Sequence, residues 1–285
     1  VPNAEQPKLR ASKLGGFMLC GQRAAMDVAA QAMAVEGAED AEDKPIPAFG
    51  SFVHWVIQKA LRSRFVPDDV VNTLPPAEYA EDVAAAAFPS KRVAAACKLF
   101  GDDISSLTAR CNGIAAAAIP HLPKVDGTWI AEQGLLGKHY GGHIDLLSDD
   151  LSTIVDIKTC GSVPDKRQMS EEYFWQIIAY AALVEEVFGV LPERGYILYV
   201  DRNGEFVLLT KPVLYHHRTV QHAIQSLRNR CAQLVNYDFH GLVPTLQGCR
   251  YCPFRAGCRD QMIPAASKEW RRPAHTYIRT DPFSI

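Results

Sequence analysis

The sequence predicts an α/β domain with a helical lobe. Three observations carry this. Residues 128–136, 139–148 and 152–159 are short segments, β-branched or alternating, separated by Gly and Asp-Asp turns, so they read as a meander of three strands. Residues 171–188 (EEYFWQIIAYAALVEEVF) form a long helical pattern, followed by strand patterns at 195–200 and 205–210 around an Asp-Arg-Asn-Gly turn. Residues 77–120 are alanine-rich and punctuated by Pro89 and Gly101, which predicts several helices.

The remaining elements follow in order. Residues 14–35 are expected to be helical, with Leu14, Phe17, Met18, Cys20 and Ala24 along an apolar stripe. Residues 36–48 are acidic and end in prolines, so they are expected to form a loop. In 49–65, Phe52, Val53, Val56, Ile57, Ala60 and Leu61 fall on one helix face. Ser170 is placed to cap the 171–188 helix, and Glu171 and Glu172 favour its first turn. A helix is expected from about 213 to 236. The segment 245–263 carries a cysteine cluster, and 264–285 has no periodicity and reads as an extended tail. The expected organisation is one domain over 1–263, with 66–125 as a helical insertion.

With 285 residues, 48% of them apolar, the chain is expected to bury one sizeable core. No apolar stretch reaches the roughly 18–20 residues that span a bilayer. The first residues lack a signal-peptide core, so a soluble, cytoplasmic protein is expected. The net charge of −2 does not advertise a nucleic-acid binder, but its distribution is uneven. Residues 201–285 hold 12 Lys/Arg against 6 Asp/Glu, and residues 1–200 hold 18 against 26. A basic C-terminal third suits phosphate as well as solvent.

Asp145 follows Gly-Gly-His-Ile, and Asp156 and Lys158 lie on the next strand as D-x-K. Period two puts Asp156 and Lys158 on one face, and a hairpin can bring Asp145 beside them. Two such carboxylates repel unless a cation neutralises them, and hard Mg2+ or Mn2+ prefers these oxygens. A divalent metal there acidifies water and clamps a scissile phosphate, with Lys158 stabilising the developing charge. A lone D-x-K, however, equally describes a strand-end Asp and a surface Lys. Gln176 and Tyr180 share a helix face at i, i+4. His54 interrupts the apolar face of its helix, although a lone helix histidine is more often structural. Glu132 lies on the strand before Asp145, facing either the same centre or solvent.

Of eight cysteines, Cys249, Cys252 and Cys258 form C-x2-C-x5-C, and Cys20 stands far upstream. In a reducing compartment such spacing suggests a metal before a disulfide. By itself it fits a structural zinc site as well as an iron–sulfur cluster. Cys97, Cys111, Cys160 and Cys231 lack this spacing and read as small buried hydrophobes. No Walker A loop is present, so a fused ATPase is not expected.

The order Gly50-x-x-x-His54, Gly142-x-Ile-Asp145, Asp156-x-Lys158, Gln176-x-x-x-Tyr180 resembles the RecB-like branch of the PD-(D/E)xK nucleases. The cysteine pattern resembles that of its iron–sulfur members: the AddB nuclease domain, exonuclease V and the CRISPR-associated RecB-like exonucleases. The resemblance implies a restriction-endonuclease-like core, a central mixed sheet flanked by helices, closed by an iron–sulfur-stapled C-terminal segment. It implies that His54, Asp145, Asp156 and the Ile157 carbonyl bind Mg2+ or Mn2+. Lys158 would be catalytic, and Gln176 and Tyr180 would contact DNA or orient the site. Cys20, Cys249, Cys252 and Cys258 would hold a [4Fe–4S] cluster, closing a loop of about 230 residues. Glu132 resembles an acidic residue of the preceding strand, and Asp156 stands where such nucleases more often carry Glu.

The expected activity is a metal-dependent DNA exonuclease acting on single strands or ends in recombination, repair or CRISPR adaptation. The alternative is a DNA-end-binding subunit of an integrase or recombinase complex. The helical lobe and cluster segment could form a passage for single-stranded DNA, with Arg250, Arg255 and Arg259 on phosphates and Tyr251 or Phe254 stacking on bases. Those arginines could equally be solvated, and the aromatics packed on the cluster.

Overall fold

The computed structural model describes residues 9–20, 23–25, 27, 45–62, 90–164, 167, 169–236, 249 and 252. In chain order the elements are β1 (Leu9–Arg10), α1 (Ala11–Leu19), α2 (Pro45–Arg62), α3 (Ser90–Phe100) and α4 (Ile104–Ala118). After a short 3-10 turn come β2 (Trp129–Leu136), β3 (Tyr140–Ser148), β4 (Thr153–Cys160), α5 (Glu171–Phe188) and β5 (Arg194–Asp201). The last are β6 (Val207–Leu209), β7 (Val213–Leu214) and α6 (Arg218–Val235).

Among the described residues the strands form one mixed sheet. β2, β3 and β4 make the antiparallel meander, in which β3 is central. β4 and β5 then pair in parallel over eight residues, from Thr153↔Arg194 to Cys160↔Asp201. Parallel neighbours need a crossover, and α5 is that crossover. β6 and β7 add antiparallel to β5, and β1 pairs in parallel with the start of β3. α1, α5 and α6 cover one face of the sheet and α2, α3 and α4 the other, which gives two apolar cores.

α5 is the central helix. Its residues 176–184 are buried on every side, because it packs between the sheet and the helices α1 and α6. Ser170 caps it, accepting a hydrogen bond from the Tyr173 amide at 3.3 Å. Gly189 ends it in the left-handed region at φ 73°, its amide reaching the Glu185 carbonyl. Two buried tyrosines tie it to its surroundings: Tyr140 donates to the Ala179 carbonyl at 3.0 Å and Tyr215 to that of Ile177 at 3.2 Å. Each hydroxyl is thereby satisfied inside the core.

Three expectations change. The first helix starts at Ala11 and ends at Leu19, with Cys20 already extended, so it does not run unbroken to residue 35. α2 begins at Pro45, within the segment expected to be loop. Proline fits a first helical turn, where its missing amide hydrogen has no helical partner to lose. The helix expected from 213 begins at Arg218, because Val213 and Leu214 pair with Gly195 and Arg194. Within the expected 66–125 insertion, α3 and α4 are helical and pack on α2. Residues 66–89 and the 264–285 tail lie outside the described residues.

Replacing Ser170 with Ala is expected to cost about 1 kcal/mol of stability, and replacing it with Gly only a few tenths. Denaturant titration of the three proteins checks this, and equal losses from both changes would remove the cap as the cause.

Candidate active site

The site forms where two strands part. β3 and β4 are paired at Leu147↔Ile154 and Leu146↔Val155. One more step would set Asp145 opposite Asp156, and there the ladder stops. The Asp145 carboxylate takes over instead, its Oδ2 accepting the Ile157 amide at 2.7 Å. β1 holds the far end of β3 through Tyr140 and Gly141. A wedge therefore opens between β3 and β4, with the two aspartates at its apex.

The other partner of β3 changes at the same point. The β2–β3 ladder is in one register on both sides of Glu132 and Asp145 but omits that pair. Glu132 adopts φ 54°, a left-handed conformation that is uncommon for a side chain of this kind. Either side of it the strands exchange faces. Ala131 and Leu146 belong to the core under α2, whereas Leu135 and Ile144 belong to the core under α5. Asp145 thus sits at the crossover, within reach of groups from both layers.

From one layer, His54 of α2 brings Nδ1 to 3.3 Å from Asp145 Oδ1. One turn later Gln58, itself buried, donates to Glu132 at 2.5 Å. From the other layer, Gln176 of α5 uses Nε2 to reach Asp156 Oδ1 at 3.1 Å and the Tyr180 hydroxyl at 2.9 Å. Lys158 Nζ pairs with Asp156 Oδ2 at 2.7 Å, and that oxygen has no other partner among the described residues. The motif glycines mark close approaches. A Cβ at Gly50 would sit 2.8 Å from Thr159 Oγ1, and one at Gly142 would meet Ala11 at 2.8 Å and the Tyr180 ring at 3.2 Å.

Burial drives the two carboxylates apart in proton affinity. Asp156 is 1% exposed, and burial, reinforced by Asp145 and opposed by Lys158, pushes it up to about 6. Burial also works to raise Asp145, but His54, Lys158 and the Ile157 amide hold it below the ordinary carboxylate range. Burial works against charge on His54 and Lys158, yet the aspartates raise both, so both favour their cationic forms. Neighbouring carboxylates with opposed shifts are the arrangement expected of acid–base or metal-binding sites.

Among the described residues, no group of three or more His, Cys, Asp or Glu side chains forms a ready metal site. The donor chemistry still fits a hard divalent ion: buried aspartate oxygens, one of them without a hydrogen bond, beside an imidazole. Gln176 is 4% exposed and Tyr180 is 3%, so both face the aspartates, and neither lies on a DNA-accessible surface. Cys20 and Cys249 are buried, and the Cys252 amide turns back to the Cys249 carbonyl at 3.4 Å. Cys258, Arg250, Tyr251, Phe254, Arg255 and Arg259 lie outside the described residues. Of the remaining cysteines, Cys111 and Cys231 are fully buried, while Cys97 and Cys160 are partly exposed. Sequence reasoning missed Gln58 and Tyr173. The available signals were their spacings, one turn after His54 and one turn before Gln176.

The model of the PD-(D/E)XK nuclease superfamily matches residues 8–259. The chain belongs to the PD-(D/E)XK nuclease superfamily. No curated protein matches it. Among solved structures it is similar to a putative exonuclease from Eubacterium rectale, at 12% identity and TM-score 0.45, over 91% of each chain. It is also similar to a phage-related exonuclease from Haemophilus somnus 129PT, at 10% identity and TM-score 0.34, over 82% of this chain and 94% of that one. Asp145, Asp156 and Lys158, the D…D-x-K residues of the sequence, all lie at the wedge between β3 and β4.

Gln176→Leu leaves Asp156 Oδ1 buried without its donor, and is expected to cost about 1–3 kcal/mol. Guanidinium unfolding of the two proteins measures it. An unchanged midpoint would mean that the bond contributes nothing.

Proposed function

We propose that this chain is a metal-dependent DNA exonuclease that hydrolyses phosphodiester bonds of single strands or DNA ends. One observation carries the reading: two buried aspartates of opposed proton affinity, with Lys158 beside them, stand at the apex of an open strand wedge. Superfamily membership and the RecB-like order of the motifs support it.

Asp145, Asp156, His54 and the Ile157 carbonyl would hold Mg2+ or Mn2+, which supplies Lewis-acid polarisation of the scissile phosphate and the attacking water. The chain's own groups do the rest. Gln176 fixes Asp156 by one oxygen and so aims the other into the wedge. The Ile157 amide does the same for Asp145. Lys158, 22% exposed at its side chain, reaches from the buried pair towards solvent and meets the charge that builds on phosphate. Tyr180 closes the inner wall and keeps water from the rear of the aspartates.

The reading includes a [4Fe–4S] cluster on Cys20, Cys249, Cys252 and Cys258. The buried positions of Cys20 and Cys249 and the Cys249–Cys252 turn support it, since thiolates separated by two intervening residues suit cluster ligation. The cluster would staple the segment after α6 to the end of α1. Recombination, repair and CRISPR adaptation are the settings in which such an activity serves.

End-labelled single- and double-stranded DNA with Mg2+ or Mn2+ should be shortened stepwise by the wild-type protein. Lys158→Ala should lose cleavage by at least a hundredfold while keeping its fold and its DNA affinity, on the order of a lost charge-stabilising group. Full activity in that variant would sink the mechanism. Anaerobic purification should yield a brown protein with about four irons per chain; a colourless protein with one zinc would replace the cluster by a zinc staple.

A further inference from the structure

Lys158 has a second neighbour that the mechanism above does not use. Its Nζ stands over the Tyr173 ring, 5.0 Å from the centroid. Tyr173 lies one turn before Gln176 on α5, so a single helix face presents Tyr173, Gln176 and Tyr180 to the wedge. The ring of Tyr173 is held in turn. Tyr199 packs against it, with centroids 6.0 Å apart. Tyr199 is the register partner of Lys158 on the parallel neighbour strand and is 4% exposed. The contacts form a line: Lys158 lies over Tyr173, and Tyr173 is backed by Tyr199.

A lysine needs such a hold. Its four-carbon stem is free to rotate, and its ammonium has no fixed bonding plane. Asp156 holds the ammonium through one oxygen at 2.7 Å, and that single contact does not fix the path of the stem. An aromatic face attracts a cation by its quadrupole and leaves the ammonium hydrogens free for another acceptor.

We propose that Tyr173, backed by Tyr199, is a positioning residue that holds the Lys158 ammonium over its ring face, poised beside Asp156 for an incoming phosphate. This rests on the nuclease reading of Lys158. The ring is the working part, and the hydroxyl is dispensable. Tyr173→Phe therefore keeps the function and Tyr173→Leu, which still fills apolar space, loses it.

The test uses the full-length protein with Mg2+ and labelled DNA, and a separate spectroscopic readout. Tyr173→Leu should lower kcat about tenfold, the scale of one ordinary cation–π contact. KM and the melting temperature should stay close to wild type, and Tyr173→Phe should restore kcat. In protein labelled with carbon-13 at the lysine ε position, the Lys158 signal, assigned by its absence in Lys158→Ala, should be shifted upfield by the ring current. That shift should persist in Tyr173→Phe and vanish in Tyr173→Leu. An unmoved Lys158 signal in Tyr173→Leu overturns the proposal, as does undiminished kcat in that variant while Lys158→Ala is inactive. A Lys158→Ala protein that cleaves normally overturns instead the nuclease reading on which the proposal stands, leaving the ring-current result to report the contact alone.

Discussion

The site depends on the hydrogen bond from the Ile157 amide to the Asp145 carboxylate. It replaces the next rung of the β3–β4 ladder with a side-chain rung. A backbone rung would keep the strands together and turn the two aspartates into neighbours on a closed sheet. The side-chain rung satisfies the buried amide, as burial demands, while letting the strands diverge. The divergence is what opens a wedge from the sheet edge to the aspartates. The face exchange at Glu132 and Asp145 is the complementary deformation in β2 and β3. Strain of this kind concentrates at functional sites, where the surrounding structure over-determines it.

Because Asp145 sits at the crossover, the two helical layers converge on one point. α2 contributes His54 and Gln58 at consecutive turns, and they take Asp145 and Glu132, the residues that stand opposite one another where the ladder lapses. α5 contributes Tyr173, Gln176 and Tyr180 from the other side. Each helix is otherwise an ordinary apolar packing element. The polar residues that reach the aspartates lie at successive turns, so the same packing that stabilises the layers aims the site.

The electrostatics are those of a site poised between states. Two carboxylates are taken out of water, and the protein compensates with one lysine, one histidine, one amide and one carboxamide. The compensation is unequal. Asp145 receives an imidazole and an amide and stays acidic, whereas burial and the neighbouring Asp145 outweigh Lys158 at Asp156, which binds its proton more tightly. A fully satisfied pair would be inert. The deficit on Asp156 is where a cationic ligand gains most, since the interaction is made in a buried, poorly screened place.

Much of this was legible in the sequence. The meander, the α5 helix with its Ser170 cap and the D…D-x-K and Gln176–Tyr180 spacings are local patterns, set by periodicity and capping chemistry, and they fold as read. Periodicity failed at α2, where prolines suggested a loop although a first helical turn tolerates them, and at Val213–Leu214, a strand too short to leave a pattern. The face exchange had no sequence signal at all, because it needs two strands to twist together and the alternation of each looks unbroken from within. The sequence by itself determined the spacing of the D…D-x-K and Gln176–Tyr180 residues and the order in which strands and helices present them. Only the tertiary structure decided which partner each aspartate oxygen takes and which ring lies under the lysine. Those are matters of distance between segments up to about a hundred residues apart, and no local rule of spacing encodes them.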